Sequence, residues 1–129
     1  MKELILDTNF LLTPIKFKVD IFDEIDRIMD TPYQLCIIDK TLDELDNIIK
    51  KQRGKEREAA KLAKKIVEKK GIHIIKTDKL KNVDQILLER AKEKSFITAT
   101  QDMELKRRLK SRKIGIIILR QKKYLELEA

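Results

Sequence analysis

Leu4-Ile5-Leu6-Asp7-Thr8-Asn9-Phe10-Leu11-Leu12 opens the chain with a short apolar run that stops abruptly on a carboxylate. The stretch reads as a buried strand whose end delivers a fixed negative charge to the edge of a sheet, a common beginning for a metal site. Asp7-Thr8-Asn9 reads equally as a turn, because Asp and Asn side chains fold back onto nearby backbone N–H groups. The choice depends on whether further carboxylates stand at the ends of later strands or the starts of later helices.

Apolar runs recur at Leu35–Ile38, Ile72–Ile75, Phe96–Ala99 and Ile114–Leu119. Most are too short for helices and too uniformly apolar for strands with one wet face, so they read as buried parallel strands. Between them, apolar residues fall at helical spacing: Val19, Phe22, Ile25 and Ile28, then Leu42, Leu45 and Ile48. Ala59, Leu62 and Ile66 form a narrower stripe on a lysine-rich helix that Gly71 ends, and Ile86, Leu87 and Ala91 lead into the fourth strand. Strands alternating with helices predict an α/β three-layer sandwich around a central parallel sheet of about five strands. No repeat or Pro/Gly-rich linker divides the 129 residues, so a single domain over 1–129 is expected.

Thirty Lys and Arg against twenty-two Asp and Glu leave a net charge of +8, which favours an anionic partner, nucleic acid first. A surface so rich in charge, 40% of all residues, also suits the ion-pair networks of thermophilic proteins. Cys36, the sole cysteine, lies in an apolar run and reads as a buried thiol in a reducing compartment. No apolar stretch reaches the roughly 18 residues of a membrane span, and Met1-Lys2-Glu3 leads straight into a strand, so a soluble, cytoplasmic protein is expected.

In parallel α/β sheets, ligands bind beyond the carboxyl ends of the strands. Four acids lie there in the expected layout: Asp7 after the first strand, Glu44 in the first helical turn after the second, Asp84 opening the helix before the fourth, and Asp102 just beyond the fourth. Each also has a purely structural reading. Thr41-Leu42-Asp43-Glu44 matches a capping box, and Asp84 and Asp102 suit helix N-caps. Together they concentrate negative charge in a basic chain, where a cation would offset it. All-oxygen ligands suit the hard ions Mg²⁺ or Mn²⁺ rather than zinc. His73 is the only histidine and sits between Ile72 and Ile74, leaving little material for Ser-His-Asp or Cys-His chemistry. Metal-assisted hydrolysis remains.

These blocks resemble the PIN-domain ribonucleases over essentially the whole chain. The resemblance rests on Leu4 to Leu12, on Ile37 to Asp46, on Asp84-Gln85-Ile86-Leu87, and on Ile97-Thr98-Ala99-Thr100-Gln101-Asp102 leading into a basic helix. It implies that Asp7, Glu44, Asp84 and Asp102 bind Mg²⁺ or Mn²⁺ and that Thr100, Thr8 and Asn9 orient ligands or the attacked phosphate. Gln85 stands where members often carry a second acid, and the proline often found after the second strand is absent. Leu105 to Lys110 and Ile116 to Tyr124 look most like the branch that processes small-subunit ribosomal RNA. VapC-type toxins share the fold and the acids, and a toxin would need an antitoxin. Homodimers are common in the family.

Most cationic residues lie in 50–70 and 106–123, where clustered Lys and Arg bind phosphate without reading sequence. Lys106, Arg107 and Arg108, close to Asp102, are the expected substrate contacts. Aromatic residues make up only 5% of the chain and do not interleave with basic ones, which argues against a base-stacking sheet of the RNA-recognition type. The sequence therefore points first to a metal-dependent RNA endonuclease, possessing RNA and a ribosome-assembly or antitoxin protein as partners. A non-catalytic RNA-binding module of the same fold is the second reading. A nucleotide-binding or phosphatase-like domain is disfavoured, because three glycines supply no phosphate loop.

Overall fold

The computed structural model describes residues 1–128. In chain order the elements are β1 (Lys2–Leu6), α1 (Thr8–Phe17), α2 (Ile21–Ile28), β2 (Tyr33–Ile38), α3 (Asp39–Lys51) and α4 (Lys55–Lys70). They continue with β3 (His73–Ile75), α5 (Val83–Glu93), β4 (Phe96–Ala99), α6 (Met103–Lys110), β5 (Gly115–Arg120) and β6 (Tyr124–Glu128). The strands form one sheet in the order β3-β2-β1-β4-β5-β6. All neighbouring pairs are parallel except β5 with β6, a hairpin.

The uniform apolarity of the strands follows from burial on both faces. Leu4 and Leu6 of β1, Ile37 of β2, Ile97 of β4 and Ile117 of β5 face one core, shared with α1 to α4 through Phe10, Ile21, Leu45 and Ala63. Their neighbours Ile5, Cys36, Ile38, Phe96, Ile116 and Ile118 face a second core, shared with α5 and α6 through Ile86, Leu87, Leu105 and Leu109. Successive strand side chains point to opposite faces, so these four central strands each serve both cores. The result is the expected α/β/α sandwich.

The sheet has six strands, not about five. The sixth, Tyr124-Leu125-Glu126-Leu127-Glu128, alternates apolar and acidic residues, as an edge strand with one wet face does. Asp7-Thr8-Asn9 makes no separate turn but starts a helix, Thr8 to Phe17: Asp7 caps it, and Phe10, Leu11, Leu12 and Thr13 are buried. His73 is exposed, because β3 is an edge strand of three residues. Lys50 to Lys55 reads in sequence as a basic loop around Gly54; in the structure α3 and α4 leave only Gln52, Arg53 and Gly54 between them, with Gly54 at φ 65°.

Candidate metal centre

The connections leaving β1 lead to β2 on one side, and those leaving β4 lead to β5 on the other. A crevice opens where the strand order reverses, beyond the carboxyl ends of β1 and β4. Asp7 and Thr100 both stand at that point. The Asp7 N–H donates to the Ala99 carbonyl at 3.0 Å, and the Thr100 N–H to the Ile117 carbonyl at 3.1 Å, so sheet pairing fixes both backbones.

The fully buried Thr100 hydroxyl donates to Asp7 Oδ2 at 3.0 Å and accepts the Asp102 N–H at 3.1 Å. Asp7 Oδ1 accepts the Thr8 N–H at 2.8 Å. Asp102 caps α6, with Oδ1 accepting the N–H groups of Glu104 and Leu105 at 3.0 and 3.1 Å. The helix-cap role and a place in the site therefore coexist: each cap fixes its carboxylate, and Asp102 Oδ2 takes no part in the cap.

Glu44 does not form a capping box. α3 begins at Asp39, two residues before the expected Thr41 cap, so Thr41 lies inside the helix and Glu44 in its second turn. The half-buried Glu44 faces Thr8, whose hydroxyl offsets part of the rise that burial gives its carboxyl, while the Thr8 and Thr41 hydroxyls meet at 3.3 Å. Asp84 does not cap α5 either. Asn82 does, its side chain accepting the Gln85 N–H at 2.8 Å, and Asp84 is left free in the first turn.

Two residues that sequence reasoning missed hold this side of the crevice. The Asp39 carboxylate accepts from both the N–H and the hydroxyl of Thr77, at 3.1 and 2.5 Å. Lys40 Nζ donates to the Lys81 carbonyl at 2.6 Å and the Lys79 carbonyl at 3.3 Å. The segment from Thr77 to Asn82, which leads into Asp84, is thereby tied to the start of the helix that carries Glu44. Ile38-Asp39-Lys40 gave no local sign of these contacts, whose partners lie about 40 residues away.

Asp7, Asn9, Glu44, Asp84, Gln101 and Asp102 line one cavity of about 390 Å³. Burial pushes the Asp7 carboxyl above its usual value; the Thr100 and Thr8 hydrogen bonds pull it back, and the charges of Asp102 and Asp84 push it up again. Burial likewise raises Glu44, against the Thr8 bond and with the charge of Asp7. Asp84 is raised by burial and by Asp102, and Arg108 partly offsets this. Three of the four acids thus carry an electrostatic cost that a cation would relieve. Among the described residues, no three Asp, Glu, His or Cys side chains are already gathered as a closed ligand set. The acids line the walls instead, an arrangement that fits a hard ion retaining several waters and bound through few carboxylates.

The expected substrate contacts divide. Asn9 lines the cavity, whereas Thr8 is 4% exposed and Thr100 fully buried, so both position acids rather than face solvent. Arg108 lines a neighbouring cavity of about 340 Å³ with Asp84, Gln85, Lys92 and Arg112. Lys106 points elsewhere, to Glu128 of β6 at 3.7 Å, and Arg107 pairs with Glu104 at 2.7 Å in solvent. The helical period separates them: Leu105 and Leu109 fix the buried face of α6, and consecutive residues turn away by about 100° each.

Residues 4–122 match the family described as PIN like domain. The chain is 34% identical over 131 residues to ribonuclease VapC4 of Methanocaldococcus jannaschii, spanning 98% of this chain and 97% of that protein. The fold is similar to the solved structure of the PIN domain endonuclease Utp24, with a TM-score of 0.77 and 23% identity over 98% of this chain and 90% of that one.

Proposed function

The chain belongs to the PIN domain family, and on that premise we propose that it is a divalent-metal-dependent endoribonuclease acting as one domain. Asp7, Glu44, Asp84 and Asp102 hold Mg²⁺ or Mn²⁺ in this reading. The observation that carries it is the cavity at the reversal of strand order that all four acids line, where Thr100 ties Asp7 to Asp102.

A divalent ion bound there supplies Lewis-acid chemistry to a phosphodiester and to the water that attacks it. The chain's own residues do the rest. Thr100 and the caps of α1 and α6 hold Asp7 and Asp102 in fixed rotamers, so little reorganisation accompanies binding. Asn9 and Gln101 form the open rim, and Arg108 beside Asp84 meets an RNA phosphate as it leaves the crevice.

Two cellular roles fit this chemistry. Identity to ribonuclease VapC4 along nearly the full length of both chains supports a toxin-type ribonuclease with an antitoxin as partner. The resemblance of Leu105 to Lys110 and Ile116 to Tyr124 to the branch that processes small-subunit ribosomal RNA supports that role, with a ribosome-assembly partner. An antitoxin gene beside this one, and growth arrest on expression that its product relieves, would decide for the toxin.

The central test is RNA cleavage by purified protein in Mg²⁺, Mn²⁺ or chelator. Metal-dependent cleavage lost in Glu44→Gln and Asp102→Asn is expected. Both variants keep the size of the original side chain, and Asn retains the cap. Salt-sensitive RNA binding without turnover in either metal would instead mark a non-catalytic binding module.

A further inference from the structure

A further cavity, of about 470 Å³, adjoins the acidic one, and Asn9 and Gln101 line both. Phe17 and Lys16 from the end of α1, and Gln121 and Lys122 from the turn between β5 and β6, are also in its lining. We propose that this cavity is a nucleotide subsite for single-stranded RNA, in which an unpaired base next to the scissile phosphate stacks on Phe17 and Lys122 and Lys16 meet the adjoining phosphate. The assignment rests on the nuclease reading only for which phosphate is cut.

Three independent observations support it. Phe17 is 40% exposed although it is one of only four phenylalanines, and the Lys122 ammonium lies 5.6 Å from its ring centroid. An exposed cation–π contact is weaker than a base–aromatic stack. A base can therefore take the ring and release the ammonium to a phosphate.

The partition between the two cavities is rigid. Gln101 bonds the Leu119 backbone twice: its Oε1 accepts the Leu119 N–H at 2.8 Å, and its Nε2 donates to the Leu119 carbonyl at 3.3 Å. A nucleotide strand bending over this wall passes from carboxylates on one side to cations and an aromatic ring on the other.

The turn itself is strained. Gln121 and Lys122 both sit at positive φ, 52° and 57°, where a hairpin turn ordinarily carries Asn or Gly. Strain of this kind collects at functional sites. Here it aims the Lys122 side chain at Phe17.

Binding of a short single-stranded RNA that carries one fluorescent purine analogue, measured in chelator so that nothing is cut, reads the subsite apart from catalysis. Phe17→Leu keeps an apolar side chain without the ring; it is expected to weaken binding about tenfold and abolish quenching by stacking, and Phe17→Tyr to restore both. Lys122→Gly relieves the backbone and removes the cation, so its Tm should rise while RNA affinity falls, opposite signs that a structural role would not give. With a cleaving parent, an abasic site at the flanking position should raise KM about tenfold with kcat within about twofold, and should cost Phe17→Leu nothing further.

Parent-like RNA binding by Phe17→Leu and Lys122→Gly overturns the subsite even if the parent cleaves RNA normally. Quenching by a parent that cuts no RNA in either Mg²⁺ or Mn²⁺ supports the subsite and sinks the nuclease reading. If Phe17→Leu changes sedimentation while its RNA affinity stays the same, the surface belongs to a second copy of the chain, and the proposal fails.

Discussion

Thr100 and Asp7 are joined side chain to side chain across the reversal of strand order, with the threonine hydroxyl donating to Asp7 Oδ2 at 3.0 Å. The Thr100 hydroxyl oxygen in turn accepts the Asp102 N–H at 3.1 Å. One buried hydroxyl thus sets the spacing of two acids that lie far apart in sequence. Thr100→Val keeps the shape and leaves both partners unsatisfied, at a cost of about 1–3 kcal/mol in stability. Thr100→Ser should retain most stability and cleavage. Chemical denaturation and turnover assays on the two variants check this, and equal behaviour of Val and Ser would sink the positioning role.

Asp7→Asn should make the metal-free protein more stable near neutral pH. Asp7 has a raised pKa, chiefly through burial, so the folded state binds its proton more readily than the unfolded state, and the ionised form works against folding. The handicap is present above the folded pKa and fades as pH falls through it. The difference in Tm between variant and parent, measured in chelator, should therefore shrink as the pH drops towards and below the ordinary aspartate value of 3.8.

The response to metal should run the other way. Mn²⁺ at one hundred times its Kd stabilises a single-site protein by about 2.7 kcal/mol, and Asp7→Asn should lose most of that gain. Ligand carboxylates must shed their protons to bind. Because Asp7, Glu44 and Asp84 are all raised, metal stabilisation should begin to fail at a higher pH than ordinary carboxylates would dictate. Tm measured against pH, with and without Mn²⁺, tests both points.

Arg108→Ala and Lys106→Ala should separate, although only one residue lies between them. Arg108 lines the cavity shared with Asp84, so its loss should weaken RNA binding and reduce the slope of log K against log salt by about one. Lys106 is held by Glu128, and its removal should leave RNA affinity within about twofold. Equal losses would mean that the α6 cations act as a diffuse field.

Asp39→Ala should lower kcat without touching any acid of the cavity, because it releases Thr77 and with it the approach to Asp84. Asp39 is partly desolvated, yet its pKa lies below the usual value because of the bonds from Thr77 and the charge of Lys79. The stability it contributes is present above the unfolded pKa and is lost as pH falls through the depressed one. Loss of activity without loss of Mn²⁺ binding would be the signature of this positioning role.

The strands were legible because burial on both faces leaves uniform apolar runs, and the acids because each stands at a strand end or near a helix start. What escaped the sequence depended on contacts made at long range. Asp7-Thr8-Asn9 reads equally as a turn, since Asp and Asn suit one; packing of Phe10, Leu11 and Leu12 decides for a helix there. The capping-box pattern at Thr41 was outweighed by the Asp39–Thr77 contact, which lets α3 start earlier. Tyr124 to Glu128 did carry an alternating signal, short and at one end of the sheet, that periodicity could have found.

The parallel pairing of β1 with β4 also governs when the site can exist during synthesis. Asp7 and Thr100 are 93 residues apart, so a growing chain that already displays Asp7, Glu44 and Asp84 still lacks Thr100, Asp102 and the strand that aligns them. The four acids can therefore share one cavity only after β4 and the residues to Asp102 have been made, however early β1 emerges.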